Sequence, residues 1–202
     1  MRGRYVVLEG GEGVGKTTQA EHLRSRLAER GITAEVRREP GGDPFGEAGR
    51  ALLLGELPRQ PEAEVLLFNA LRAQLLVGTV RPLLAEGTWV LSDRSRLSTL
   101  AYQGHGHGVD LAWTRDICNA TVALQPADLE VVLSLDEAEA TRRRADRGVT
   151  DRFEAMDDAF HRRVTAGYLT EARALGVPVV DAAGTEAEVT DRLWSHLEPL
   201  LG

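Results

Sequence analysis

The chain has 202 residues, 43% of them hydrophobic, and a net charge of −7. That is enough apolar material for one well-packed domain, and the acidic balance argues against nucleic acid or an anionic membrane as the main partner. The single cysteine, Cys118, excludes an internal disulfide. With no stretch that reads as a signal peptide and no apolar run near the ~18 residues of a membrane span, a cytoplasmic protein without a membrane partner is expected.

Residues 4–8 (RYVVL) read as a short buried strand, followed by a glycine-rich segment over 9–15. Ala20, Leu23 and Leu27 set a helix over 16–30, with Gly31 as its stop. A second strand covers 33–38, and the Pro/Gly-rich 39–45 (EPGGDPF) reads as a loop. Pro61 starts a helical pattern that runs to about 85. A third strand over 88–91 ends at Ser92-Asp93-Arg94; residues 94–102 read as helix, and the run Gly-His-Gly-His-Gly at 104–108 breaks it. Then come a helix over 110–123, a strand over 129–135, helices over 137–147 and 153–174, a strand over 177–180 and a closing helix over 187–200. Five short apolar strands alternating with helices predict a single α/β domain over residues 1–202, a five-stranded parallel sheet flanked by helices in three layers. Ligands of such sheets bind outside the carboxyl ends of the strands, where the segments 9–15, 39–42 and 92–95 fall.

Gly10-Gly11-Glu12-Gly13-Val14-Gly15-Lys16-Thr17 fits G-x-x-x-x-G-K-[ST], the P-loop pattern, at every fixed position. Glycines let the backbone turn successive N–H groups onto phosphate oxygens, and the following helix adds its positive end. Gly10 through Thr18 are thus expected to bind the phosphates of ATP or GTP, with Lys16 on the β- and γ-phosphates and Thr17 on Mg²⁺. Of the 24 Lys and Arg residues only Lys16 is lysine, which marks a place where a slim point charge is required. Asp93, at the end of an apolar strand, suits a Mg²⁺ contact; capping of the next helix is its alternative role.

The chain resembles the thymidylate kinases. The resemblance is carried by EGGEGVGKTTQ (9–19), REPGG (38–42), LFNALR (67–72), Asp93-Arg94, STLAYQG (98–104) and DRFE (151–154), and it covers nearly the whole length. It implies a P-loop NTPase-type fold with a helical lid over about 141–154, and transfer of the γ-phosphoryl group of ATP to dTMP with Mg²⁺ as cofactor. Phe68 and Arg72, four apart on one helix, match the aromatic that stacks on thymine and the arginine that donates to a base carbonyl. Arg94 matches the arginine on the acceptor phosphate and Arg50 a second clamp; an ordinary exposed helix position is the other reading of Arg50. Ser98, Thr99, Tyr102 and Gln103 match contacts to the base edge and deoxyribose, and Glu12 matches an acid on the sugar 3′-hydroxyl. The lid holds five arginines, 142, 143, 144, 147 and 152. Gly13 leaves the P-loop without a basic residue at the place where one branch of the family has it, so the resemblance is to the bacterial branch, whose lid supplies the catalytic arginine: Arg147 first, with Arg143 and Arg152 helping. A homodimer is also implied, with the apolar helix over 62–84 as a candidate surface.

The chain departs from the family pattern at Ser95, where an aromatic or His often follows Asp-Arg, and at Ala145, which interrupts the arginine spacing of the lid. His105 and His107 lack a third ligand in sequence and are not read as a metal site. Two other functions compete. A kinase for another acceptor lacks support from Phe68/Arg72 and Tyr102-Gln103, and a GTPase switch needs an N-K-x-D that a chain with one lysine cannot hold.

Overall fold

The computed structural model describes residues 2–147, 152–153 and 155–202; the side chains of Arg144 and Arg147 lie outside the description. Five strands, β1 (Tyr5–Glu9), β2 (Ala34–Arg38), β3 (Trp89–Asp93), β4 (Leu129–Ser134) and β5 (Val179–Asp181), form one sheet in the order β2-β3-β1-β4-β5. All four pairings are parallel. Val6 and Leu8 of β1 pack on one face with Leu23 and Leu27 of α1 (Lys16–Glu29) and Leu193 and Leu197 of α9 (Glu186–Leu197). Tyr5 and Val7 face the other way, onto Leu75, Leu76, Val80 and Leu84. A strand buried on both faces reads as an unbroken apolar run, which is why β1, β3 and β4 were legible without alternation.

The chain runs from β1 out to β2, back to β3, then across β1 to β4. The reversal therefore flanks β1, and the loops after β1, β2 and β3 open at the same sheet edge, where open α/β sheets place their ligands.

Helices α3 (Pro61–Leu75) and α4 (Arg81–Ala85) join through one π turn, Leu76–Val80. By length and mean hydropathy (1.3) Pro61–Ala85 could cross a bilayer, a reading the sequence pattern had not raised. Its inner residues Val65, Leu71, Leu75 and Leu84 are buried in the core, and it also carries the buried polar side chains Glu64, Asn69 and Arg72. It is a core helix whose outer face shows Leu66 and Val77.

Four expectations are corrected. A helix α2 (Pro44–Leu54), capped by Asp43 accepting from Gly46 N–H, occupies a stretch left without an element and shortens the loop expected to reach residue 45. The helix expected from Arg94 begins at Arg96 (α5, Arg96–Thr99), because Arg94 has φ 77°, a left-handed value outside any right-handed helix. Gly104 and Gly106 do not break the helix, which continues as π turns over Leu100–Gly106. A Cβ on Gly104 would lie 2.6 Å from Leu111 Cδ2 and one on Gly106 2.7 Å from Phe160 Cε2, so these glycines permit close packing on α6 (Leu111–Val122) and α8 (Asp158–Leu175). Helix α8 begins at Asp158 rather than 153, because the Asp157 carboxylate accepts from Phe160 N–H and caps it there.

Candidate active site

The P-loop wraps the carboxyl end of β1. A Cβ on Gly10 (φ 141°) would sit 2.4 Å from the Leu133 carbonyl oxygen, so only glycine lets the loop leave the sheet there. Gly15, at φ 87°, precedes α1, which has no side-chain cap; its first N–H groups remain for an anion. Lys16 is buried and donates to the Gly11 carbonyl oxygen at 2.8 Å. Burial, helped by Arg94, lowers it to about 8. Thr17 Oγ1 donates to Asp93 Oδ2 at 2.5 Å, while Asp93 Oδ1 is buried with no partner among the described residues. A hydroxyl beside an orphaned carboxylate oxygen is a donor set that suits a hard, oxygen-seeking divalent cation.

A cavity of about 300 Å³ opens from this loop. Its walls include Glu12, Gly13, Gly15, Lys16, Thr17 and Thr18 of the phosphate loop together with Arg50, Phe68, Arg72, Asp93, Arg94, Ser98, Thr99, Tyr102 and Gln103. The structure thus brings the expected phosphate loop and the expected acceptor residues around one space.

Arg94 stands at the junction. Its left-handed backbone turns the side chain back toward the loop, where Nη1 donates to Gly10 O (3.0 Å), Ser98 Oγ (3.2 Å) and Tyr168 Oη (2.9 Å). Its Nη2 pairs closely with Glu12, whose carboxylate also accepts from Tyr102 Oη at 2.9 Å. Burial works against the Arg94 charge, and Glu12 leads the groups that outweigh it, leaving its pKa well above the usual arginine value.

Arg72 is 1% exposed. Nε donates to Glu39 Oε2 (2.6 Å), Nη1 to Asn69 Oδ1 (2.8 Å), and Nη2 to Ser95 O (2.9 Å) and Thr99 Oγ1 (3.0 Å). Four of its five N–H groups are so engaged, the buried Cys118 thiol lies beside the guanidinium, and Arg72 is part of the cavity lining. Ser95, an expected point of departure, is buried and serves through its backbone: its carbonyl holds Arg72 and its N–H donates to Glu9 Oε1 at 2.8 Å. Arg50 donates to Pro40 O at 3.0 Å.

Of the expected lid, the described side chains of Arg142, Arg143 and Arg152 do not line the cavity. On α7 (Glu137–Arg147), Arg142 and Arg143 both bind Glu139, at 2.7 and 2.8 Å. Hydrogen bonds from these two arginines hold the Glu139 carboxyl near 2. Arg147 lies outside the described side chains, as do residues 148–151 and 154. Arg152 was expected beside the transferring phosphate. It instead pairs with Glu64 and donates to Leu53 O at 3.0 Å, because the carboxylate and the α2 carbonyl end both draw a cation. Ala145 is exposed. His105 hydrogen-bonds to Glu171 at 2.8 Å and His107 packs on Phe160.

Five residues of the site carry no sequence-level role. Phe153 lines the cavity 6.3 Å from Phe68 and edge-on to Tyr102. Tyr168 holds Arg94 and Ser98. Glu9, Glu39 and Glu64 are buried acids beneath Ser98, Arg72 and Gln103. Glu9, Glu39 and Phe153 fall inside segments that carry the family resemblance, but nothing in the sequence names their partners.

The family model for thymidylate kinase matches residues 8–193. The chain is similar to a thymidylate kinase of Carboxydothermus hydrogenoformans, 42% identical over all of both chains. It is 43% identical to one from Deinococcus radiodurans over 96% of each chain, and 44% identical to one from Thermomicrobium roseum over 98% of this chain and 95% of that one.

Proposed function

Because the chain belongs to the thymidylate kinase family, we propose that it transfers the γ-phosphoryl group of ATP to dTMP, giving dTDP and ADP, and that the cavity between P-loop and Phe68 is where the two nucleotides meet. The observation that carries this reading is that shared space, with a triphosphate loop at one end and an aromatic plate beside an arginine donor at the other.

An acceptor phosphate is already a nucleophile near neutral pH, its second pKa being ~6. No general base is needed; the obstacle is repulsion between two anions. In the proposed assignment, the N–H groups of Gly10–Thr18 and Lys16 hold the donor phosphates. Arg94, with Arg50, takes the acceptor phosphate, which displaces Glu12 from the guanidinium. Glu12 then turns to the sugar 3′-hydroxyl, beside the Tyr102 hydroxyl that already touches it. Phe68 stacks on the base and Arg72 donates to its carbonyl. Arg147 comes to the transferring group from the lid, and Arg143 follows by exchanging Glu139 for phosphate. Mg²⁺ would be held by Thr17 and Asp93 and would supply charge neutralisation on the β- and γ-oxygens. Positioning and electrostatics make up the whole of the catalysis.

A cytoplasmic homodimer completes the reading. The homodimer is supported by the outer face of α3 and the π turn, where Leu66 and Val77 are 51% and 42% exposed.

The test is a panel of nucleoside monophosphates with ATP and Mg²⁺, read as ADP release. Turnover requiring dTMP is expected. Faster phosphorylation of CMP, UMP or thymidine, or ATP hydrolysis indifferent to dTMP, would refute it.

A further inference from the structure

We propose that Glu64 is a specificity-determining positioning residue: its carboxylate fixes the side-chain amide of Gln103 with the carbonyl toward the acceptor cavity. The site then accepts a pyrimidine that presents N3–H beside an O4 carbonyl and rejects the cytosine edge. The inference rests on the acceptor reading given above.

Glu64 lies on α3, is 2% exposed, and receives three donors. Gln103 Nε2 reaches Oε2 at 3.0 Å, Arg59 Nε reaches Oε1 at 3.1 Å, and Arg152 pairs with the same Oε1. Arg59 is itself fixed, donating to the carbonyls of Leu52, Leu57 and Gly55 at the end of α2. A carboxylate between two guanidinium groups is an acceptor and nothing else. An amide beside it has one stable orientation, nitrogen inward. Gln103 is 1% exposed and lines the cavity, so with its nitrogen turned to Glu64 the carbonyl oxygen is what remains for a ligand.

Next to that acceptor the same wall offers Arg72, a donor only. Donor beside acceptor is the complement of thymine or uracil, whose O4 accepts and whose N3–H donates. Neutral cytosine inverts both: its N4 amino group would meet the guanidinium and its N3 lone pair the Gln103 carbonyl. A buried polar site loses far more against a mismatched pattern than against a missing methyl group. The device separates dTMP from dCMP and leaves dTMP against dUMP to the fit of the 5-methyl group.

The experiment compares kcat/KM for dTMP and dCMP in the wild-type enzyme and Glu64→Gln. A glutamine in place of Glu64 can present either end of its amide, so Gln103 is free to turn over. The dTMP:dCMP ratio is expected to fall by about tenfold or more. A ratio unchanged within about twofold, with both substrates weakened alike, would mean a structural role only and overturn the proposal. Wild-type enzyme inactive on dTMP would instead sink the acceptor reading. If Glu64→Gln does not fold, wild-type enzyme labelled with ¹⁵N-glutamine and bound to dTMP gives the answer by NMR. The Gln103 NH₂ protons should stay protected from exchange and show no Overhauser contact to the base; such a contact would overturn the proposal.

Discussion

Replacing Glu9 by glutamine should remove a large part of the pH dependence of folding. Glu9 is fully buried at the end of β1, where Oε1 accepts from Ser95 N (2.8 Å) and Ser98 N (3.2 Å) and Oε2 from Ser98 Oγ (2.6 Å). Burial raises its carboxyl to about 7, against the downward pull of the Ser98 hydroxyl and Arg94. A carboxyl raised on folding stabilises the fold below its unfolded value, near 4.5, and that stability is lost as pH climbs through the folded value. Integrated between pH 5 and 8, the loss from this one group is on the order of 2–3 kcal/mol. The substituted amide would keep a carbonyl for the two backbone N–H groups and would donate to the Ser98 hydroxyl, with no charge to bury. Urea unfolding of both proteins at pH 5, 6, 7 and 8 cancels in the difference the titrating groups that Glu9 does not touch; Lys16, which the Glu9 charge raises, titrates at the upper end of the range. That difference should move on the order of 2–3 kcal/mol in favour of Glu9→Gln across the range. A difference constant within about 0.5 kcal/mol would refute the argument that burial outweighs the three hydrogen bonds.

Phe68→Ala should raise the KM for dTMP by roughly tenfold or more, the value of a lost base–aromatic stack, with kcat nearly kept; an unchanged KM would return Phe68 to the core. Arg147→Ala should lower kcat by about 10³ with dTMP binding little altered, the mark of a transition-state contact, and equal effects on kcat and KM would remove it from that role. Lys16, lowered to about 8 by burial, is mostly neutral at pH 8.5 and should regain its proton when a triphosphate restores negative charge beside it. Calorimetry of ATP binding in buffers of different ionisation enthalpy should then show roughly 0.7 proton taken up per site at pH 8.5, falling toward zero at pH 7.

What the sequence made legible is what one local period can express. The five strands and the P-loop are read within a few residues of themselves, whereas the roles expected of Phe68 and Arg72 come through the family resemblance and not through helical spacing. The helix starts at 96 and 158 were not legible, because a left-handed backbone at Arg94 and a carboxylate cap at Asp157 override a continuous helical pattern. Gly104 and Gly106 looked like helix breakers because glycine's usual effect is local; here its value is a missing side chain against Leu111 and Phe160, elements of remote sequence. Arg152 shows the same limit. Its place in a basic run suggested phosphate, but its partner Glu64 is 88 residues away.

The buried acids explain why a chain of net charge −7 can build a pocket for anionic ligands. Glu9 lies under Ser98, Glu39 under Arg72 and Glu64 under Gln103. Each is placed behind a donor; Glu9 and Glu64 lie outside the lining of the cavity, and Glu39 forms part of it. A carboxylate accepts and cannot donate, so the group in front of it has one orientation, set before any ligand arrives. Donors that must be ordered anyway offset part of the cost of burying each acid, and burial still raises the carboxyls of Glu9 and Glu39. Glu12 differs, because it stands in front, paired with Arg94 inside the cavity. An arginine so deeply buried would be costly with no anion beside it, and Glu12 supplies that anion while the acceptor is absent. The same carboxylate must therefore leave Arg94 when phosphate enters, and its second partner, the Tyr102 hydroxyl at 2.9 Å, lies ready to retain it.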